Sequence, residues 1–452
     1  MLGERAGVKL VHMKAYRASL LWFDPAADHA VPRYEADGLL VTGPGPQGAR
    51  GPRLVRAIGA YNDLMDRYPG ISVEHFPGRL IAPGFVDLHI HYPQTDVIGS
   101  PAEGLLPWLE HYTFPHEARF ADPAYAGEVA EFFLDELQRQ GVTTALTFAT
   151  SHPASVDALM SRAEARGLRL VAGKVLQDRH SPDGVRDQTE QSLLDTEALI
   201  ARWHGRGRLG YAITPRFAPS CSDAQMRGAG ELAARYPDVW IQSHVAENVD
   251  EVRWVQSLYP QARSYLSVYE SFGLLRERAV YAHCIHLDAT DRQLMQTTGA
   301  AAAISPTSNL FLGSGFFDYQ AARAAGMLHG LASDVGGGTS FSPFQTMLAA
   351  YYVGRASVTG GGAAKQGVSL APGDLWWQHT AGAARAMGLD GVVGNLAPGC
   401  EADWLLLNPA ATPLLARKVV QANNLDELLF ALIVLGDDRV VERVFVAGAT
   451  AD

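Results

Sequence analysis

Cysteine is almost missing from this chain: 452 residues carry three, Cys221, Cys284 and Cys400, odd in number and far apart. A disulfide framework and a cysteine-built zinc finger are excluded by that spacing, and a reducing compartment fits it. Long apolar runs are missing too. The stretch Leu428 to Leu435 falls far short of the ~20 residues a bilayer-crossing helix needs. No block of Lys and Arg occurs, and the formal net charge of −11 argues against nucleic acid, whose phosphates need clustered cations. Glu4, Arg5, Lys9, His12 and Lys14 interrupt the first apolar residues, so no signal-peptide core is expected. These absences point to a cytoplasmic protein that binds neither membrane nor nucleic acid. No internal repeat and no low-complexity tract occurs.

What is present is apolar material, 47% of the residues, and more length than one ordinary core accommodates. Short apolar runs alternate with amphipathic ones through the middle of the chain. The runs expected as strands are Phe85–His91, Gly141–Phe148, Arg169–Leu176, Leu209–Arg216, Val239–His244, Ala279–His283, Ala300–Ser305 and Leu328–Asp334. Helical patterns lie between them, at Ala126–Arg139, Asp223–Arg235, Leu266–Leu275 and Ala289–Thr297. Eight strands alternating with helices predict a (β/α)8 TIM-like barrel over residues 83–385. The ends differ: Ser19–Phe23, Gly38–Val41, Asp403–Leu407 and Val440–Val446 are short β-like runs among turn residues. They predict a small β-sandwich domain composed of residues 1–82 and 386–452. Gly360-Gly361-Gly362 and Pro372-Gly373 are read as loop punctuation.

The most informative stretch is Pro83-Gly84-Phe85-Val86-Asp87-Leu88-His89-Ile90-His91. Side chains alternate along a strand, so His89 and His91 share a face and can grip one ion. Further strand ends complete a donor set in order: Ser243-His244-Val245-Ala246-Glu247, Ala282-His283-Cys284 and Ala332-Ser333-Asp334. His89, His91, Arg216, His244, His283 and Asp334 all fall at C-terminal strand ends, where barrel enzymes keep their active sites. Imidazoles with a carboxylate suit a borderline divalent ion such as Zn²⁺, with His89, His91, His244 and Asp334 as ligands and His283 close by. Such an ion lowers the pKa of a bound water from ~15.7 towards ~7, which predicts hydrolysis. Glu247, three residues past His244, is positioned to carry a proton without ligating the ion. His111, His116, His152, His180, His204 and His379 stand alone and are read as packing or capping residues. Gly336-Gly337-Gly338 follows a ligand aspartate rather than opening a helix, so it is expected to pack closely beneath the site, not to cradle phosphate.

These motifs resemble the amidohydrolase superfamily of metal-dependent barrel hydrolases, and within it the guanine deaminases. The resemblance rests on PGFVDLHIHYPQ from Pro83, WLEHYTFPHE from Trp108, ITPRFAPSCS from Ile213, SHVAE from Ser243, SNLFLGSG from Ser308 and SDVGGGTSFS from Ser333. It implies one Zn²⁺ per subunit on His89, His91, His244 and Asp334, and hydrolysis of guanine to xanthine and ammonia. Glu247, Asp334 and His283 would be catalytic, Glu247 serving the purine ring and Asp334 the leaving amine. Gln94, Arg216, Phe217 and His283 would bind the substrate, with Arg216 reaching the C6 carbonyl. It also implies a homodimer. The barrel chemistry alone equally admits another aminated heterocycle, such as a triazine, pterin or modified guanine, and more remotely an inactive scaffold. The expected fourth strand ends in Pro215-Arg216, and the nearest lysine, Lys174, falls on the third. A second metal bridged by a carboxylated lysine is therefore not expected.

Overall fold

The computed structural model describes residues 12–356 and 367–451, so Gly360-Gly361-Gly362 and the charged residues at positions 4, 5 and 9 lie outside the described residues. The two chain ends meet in one seven-stranded sheet. Its early strands are β1 (Lys14–Phe23), β2 (Pro32–Gly45), β3 (Gly48–Ala60) and β4 (Val73–Pro83). Its late strands are β14 (Trp404–Leu407), β15 (Val441–Val446) and β16 (Ala449–Thr450), and the spatial order is β16-β15-β14-β4-β1-β2-β3. The join is antiparallel pairing of β14 with β4, Leu405 opposite Ala82. Trp404 stacks on Phe445 with ring centroids 3.6 Å apart, and Tyr16 packs against both, which seals one face.

The barrel strands are β5 (Phe85–His91), β6 (Val142–Phe148), β7 (Arg169–Gly173), β8 (Val175–Leu176), β9 (Gly210–Pro215), β10 (Trp240–Val245), β11 (Ala279–His283), β12 (Ala301–Ile304) and β13 (Leu328–Leu331). Neighbouring strands pair in parallel throughout. Both faces of such a sheet are covered, which is why these segments read as near-continuous apolar runs rather than alternating ones. Helices lie between the strands, among them Pro123–Arg139, Asp223–Arg235, Tyr265–Ser271 and Ala289–Thr298. Helix starts are capped by side chains: Asn248 and Ser264 each form a capping box at the helices after β10.

Two expected strands differ from the observed ones for local reasons. The third breaks at Lys174, whose backbone N–H donates to the Tyr211 hydroxyl instead of the ladder. The last stops at Leu331, three residues before Asp334, where the chain turns into the left-handed region. That turn also closes the barrel. The Asp334 N–H donates to the His89 carbonyl at 2.8 Å, and the His91 N–H donates to the Val335 carbonyl at 2.9 Å. First strand and last corner are thus tied together beside the two histidines. At the opposite end, buried Arg208 pairs with Glu401 and Asp403, and Arg169 joins Glu401, fastening the barrel to β14.

Candidate active site and metal centre

The sequence-predicted residues converge at the C-terminal rim. His89 and His91 project from β5, His244 from β10, and His283 ends β11. His89 Nε2 lies 3.1 Å from His91 Nε2, and His91 Nε2 lies 3.2 Å from His244 Nε2. Asp334 Oδ1 is 3.0 Å from His89 Nε2 and 3.4 Å from His91 Nε2. One ligand atom each from His89, His244, His283 and Asp334 falls within 4.8 Å of the others. Phe148, at the end of β6, backs the His89 and His91 rings at centroid distances of 4.9 and 4.6 Å.

Neighbouring hydrogen bonds assign the tautomers. His244 Nδ1 sits 2.6 Å from the Arg216 carbonyl, which can only accept, so Nδ1 carries the proton and Nε2 turns a lone pair inward. His283 Nδ1 lies 2.8 Å from Asn309 Oδ1 and donates in the same way. Its Nε2 then faces Glu247 Oε2 at 3.4 Å and Asp334 Oδ2 at 3.8 Å. Lone pairs gathered at these separations repel unless protons or a cation stand among them. Burial presses His91 down to about 4 and His244 well below the usual histidine value, so protons are the poorer solution at neutral pH. A divalent cation fits this donor set of imidazole nitrogens and one carboxylate.

Glu247 lies just beyond β10, buried, and accepts from the Ser314 hydroxyl at 3.1 Å. Burial and the nearby Asp334 charge push its carboxyl up from the ordinary range, against that one hydrogen bond. Its backbone N–H is fixed by Glu251, which also caps the helix Val249–Leu258 and accepts from Tyr265. Asp87 accepts from the N–H groups of His89 and Ser333, each at 3.1 Å, locking the corner that carries Asp334.

Arg216, Gln94 and Phe217 line the same cavity as His91, His244, His283 and Asp334, with Trp108 and Leu312 at its wall. Arg216 and Gln94 share a partner to which spacing and periodicity assign no role. Glu117, buried, accepts from Arg216 at 2.6 and 3.1 Å and from Gln94 Nε2 at 3.1 Å. Asn309 and Ser314, which hydrogen-bond His283 and Glu247, are likewise neighbours that spacing does not reveal. All three, however, lie within motifs that carry the family resemblance.

The triple glycine does what was expected of it: a side chain at Gly338 would put its Cβ 1.7 Å from the Ser333 carbonyl, and one at Gly336 would meet the Gln94 carbonyl at 2.5 Å. Lys174 turns away from the cluster. Its ammonium is buried against Asp187 at 2.7 Å, and β9 ends without a lysine.

The match to the amidohydrolase family spans residues 80–451, most of the chain. With histidines and an aspartate converging at the C-terminal mouth of a parallel barrel, that match settles the class: the chain belongs to the amidohydrolase family, whose members are metal-dependent hydrolases. More particularly, a guanine deaminase of Escherichia coli (strain K12) is 42% identical over 417 residues, covering 92% of this chain and 91% of that protein. The solved structure of E. coli guanine deaminase superposes with a TM-score of 0.91 at 41% identity, over 97% of this chain and 99% of that one. A guanine deaminase from C. acetobutylicum, solved with guanine bound in its active site, gives a TM-score of 0.87 at 29% identity, over 97% and 100%.

Proposed function

We propose that this chain hydrolyses guanine to xanthine and ammonia with one Zn²⁺ per subunit. The observation that carries the reading is a single cavity lined by two sets of side chains of different chemistry. One set is His91, His244, His283, Asp334 and Glu247; the other is Arg216, Gln94 and Phe217. His89, His91, His244 and Asp334 would hold the ion, with His283 beside it. Such an ion, when bound there, would supply water activation at neutral pH.

The chain's own residues do the rest. Arg216 donates to the C6 carbonyl, Gln94 meets a second polar edge, and Phe217 covers the ring, so that C2 faces the histidines. Adenine offers an amino group where guanine offers a carbonyl, and the mismatch would leave the Arg216 donor that faces the ring without an acceptor. Glu247 takes the proton from the attacking water and delivers it to the ring. Asp334 passes the second proton to the exocyclic nitrogen, and the C2–N bond breaks to release ammonia. His283, held by Asn309, contacts the substrate or the reacting water. Water and guanine thereby balance xanthine and ammonia.

Among the described residues no helix is long and apolar enough to cross a membrane. A cytoplasmic homodimer belongs to the same proposal and is supported by the resemblance. The test is ammonia release and ultraviolet absorbance change on purified protein with guanine, beside a panel of triazines and pterins, with elemental analysis of the same sample. Guanine turnover with about one zinc per chain is the expected result. Turnover of another heterocycle in preference to guanine would overturn the substrate assignment, and absence of any metal would overturn the mechanism.

A further inference from the structure

Three buried polar side chains, Gln94, Glu117 and Arg216, form a closed hydrogen-bonded unit at the wall of the cavity. Gln94 and Arg216 line the cavity, whereas Glu117 stands behind them. Its two oxygens are occupied: Oε2 accepts from Arg216 Nη1 at 2.6 Å, and Oε1 accepts from Arg216 Nη2 and Gln94 Nε2, both at 3.1 Å. The Arg216 guanidinium also lies over the Phe114 ring, its carbon 4.9 Å from the centroid, so one face of its plane is covered while Glu117 holds its edge.

The donor and acceptor inventory makes this arrangement directional. An ionised carboxylate only accepts and a backbone N–H only donates. Gln94 therefore has one allowed amide orientation, with Nε2 to Glu117 and Oε1 to the Gly336 N–H at 3.2 Å. A neutral amide at position 117 would remove that constraint, because it could donate to Gln94 as readily as accept. It would also leave the guanidinium without its counter-charge. We infer that Glu117 is a positioning residue. It fixes the direction in which Arg216 and Gln94 present their donors, and so sets the preference for a ring bearing a carbonyl opposite Arg216. This rests on the guanine reading above.

The experiment compares competitive inhibition by hypoxanthine, which keeps the C6 carbonyl, with inhibition by purine, which lacks it, during guanine turnover. The proteins are the zinc-loaded wild type, Glu117→Gln and Glu117→Asp. A hydrogen bond to a charged group is worth ~1.5–3 kcal/mol, so the hypoxanthine Ki should rise roughly tenfold to a hundredfold in Glu117→Gln. The purine Ki should stay within about twofold, and Glu117→Asp should fall between wild type and Glu117→Gln. A merely structural role would move both constants together, and equal changes or no change would overturn the inference. Should Glu117→Gln fail to fold, Glu117→Asp carries the test alone. Its shortened carboxylate cannot reach both partners, so the hypoxanthine-to-purine ratio must move. Wild-type protein that releases no ammonia from guanine would remove the function reading and this inference with it. Turnover with an unmoved ratio sinks this inference alone.

Discussion

Replacing Glu247 by glutamine isolates its proposed role as proton carrier from everything that holds it in place. The amide has the carboxylate's shape. Its Oε1 can keep the 3.1 Å contact from Ser314, and its backbone N–H keeps the 2.9 Å bond to Glu251. What it loses is the ability to take a proton from water and hand it on. General acid–base catalysis is worth ~10²–10⁴ in rate, or about 3–5 kcal/mol of barrier, and that is the expected loss in kcat. The stability of the metal-free protein should move the other way. Burial, then Asp334, raises the folded carboxyl above its ordinary value of 4.5, so the folded protein binds this proton more tightly than the unfolded chain does. The wild type therefore has its full stability from this group below the unfolded value and loses it as pH rises through the folded one. Glu247→Gln should match the wild type in acid and exceed it at pH ~8, because no buried carboxylate has to ionise. Single-turnover ammonia release, zinc analysis and melting curves at the two pH values make the assay. A variant that retains kcat within tenfold at full zinc content would refute the proton-carrier role.

Arg216→Ala leaves Glu117 buried without its counter-charge, which costs about 3–5 kcal/mol of stability, and should weaken guanine hydrolysis far more than metal content. Urea unfolding and kcat/KM check it, and unchanged kinetics would discard the pocket assignment. Chelation should abolish turnover and lower Tm, with both restored by Zn²⁺; a site saturated at a thousandfold above Kd contributes ~4 kcal/mol by linkage. Full activity after exhaustive chelation would contradict that. Lys174→Met strands Asp187 in the interior and should destabilise by about 3–5 kcal/mol, yet leave the zinc content of the remaining folded protein unchanged. A fall in metal per chain would show that Lys174 belongs to the metal centre after all.

The barrel was legible because its physics is periodic. A parallel strand buried on both faces writes itself as an apolar run, and β5 and β11 have the bounds expected from sequence. The His-x-His pair was legible for the same reason, since alternation alone puts His89 and His91 on one face. Glu117 had no such signature. It meets Gln94 across 23 positions and Arg216 across 99, and no repeat connects them. Ser314 reaches Glu247 across 67 positions, and Asn309 meets His283 across 26. Such contacts are decided by where helices and loops land on the rim, after the barrel has formed. The break at Lys174 was hidden likewise, because it depends on a hydroxyl from the neighbouring strand.

The backbone at the rim shows why these residues need the whole barrel. Ala246, His283, Cys284 and Asp334 all adopt positive φ, at 50°, 72°, 54° and 52°. Each such non-glycine conformation costs ~1–3 kcal/mol and persists only where surrounding structure over-determines it. The surroundings do so here. The Ala246 carbonyl accepts from both Ile285 and His286, and the Cys284 N–H donates to Val245, pinning the ends of β10 and β11 to each other. Asp334 is held by the His89 carbonyl on one side, while Asp87 grips the preceding Ser333 N–H on the other. A strand that simply continued would send successive side chains alternately inward and outward. Leaving the strand through a left-handed turn frees the last residue from that alternation. In this way His283 and Asp334 reach the centre that His89, His91 and His244 reach by ordinary strand geometry. The strain is thus located where donor atoms from separate strands must meet, and the hydrogen bonds that sustain it are the ones that close the barrel.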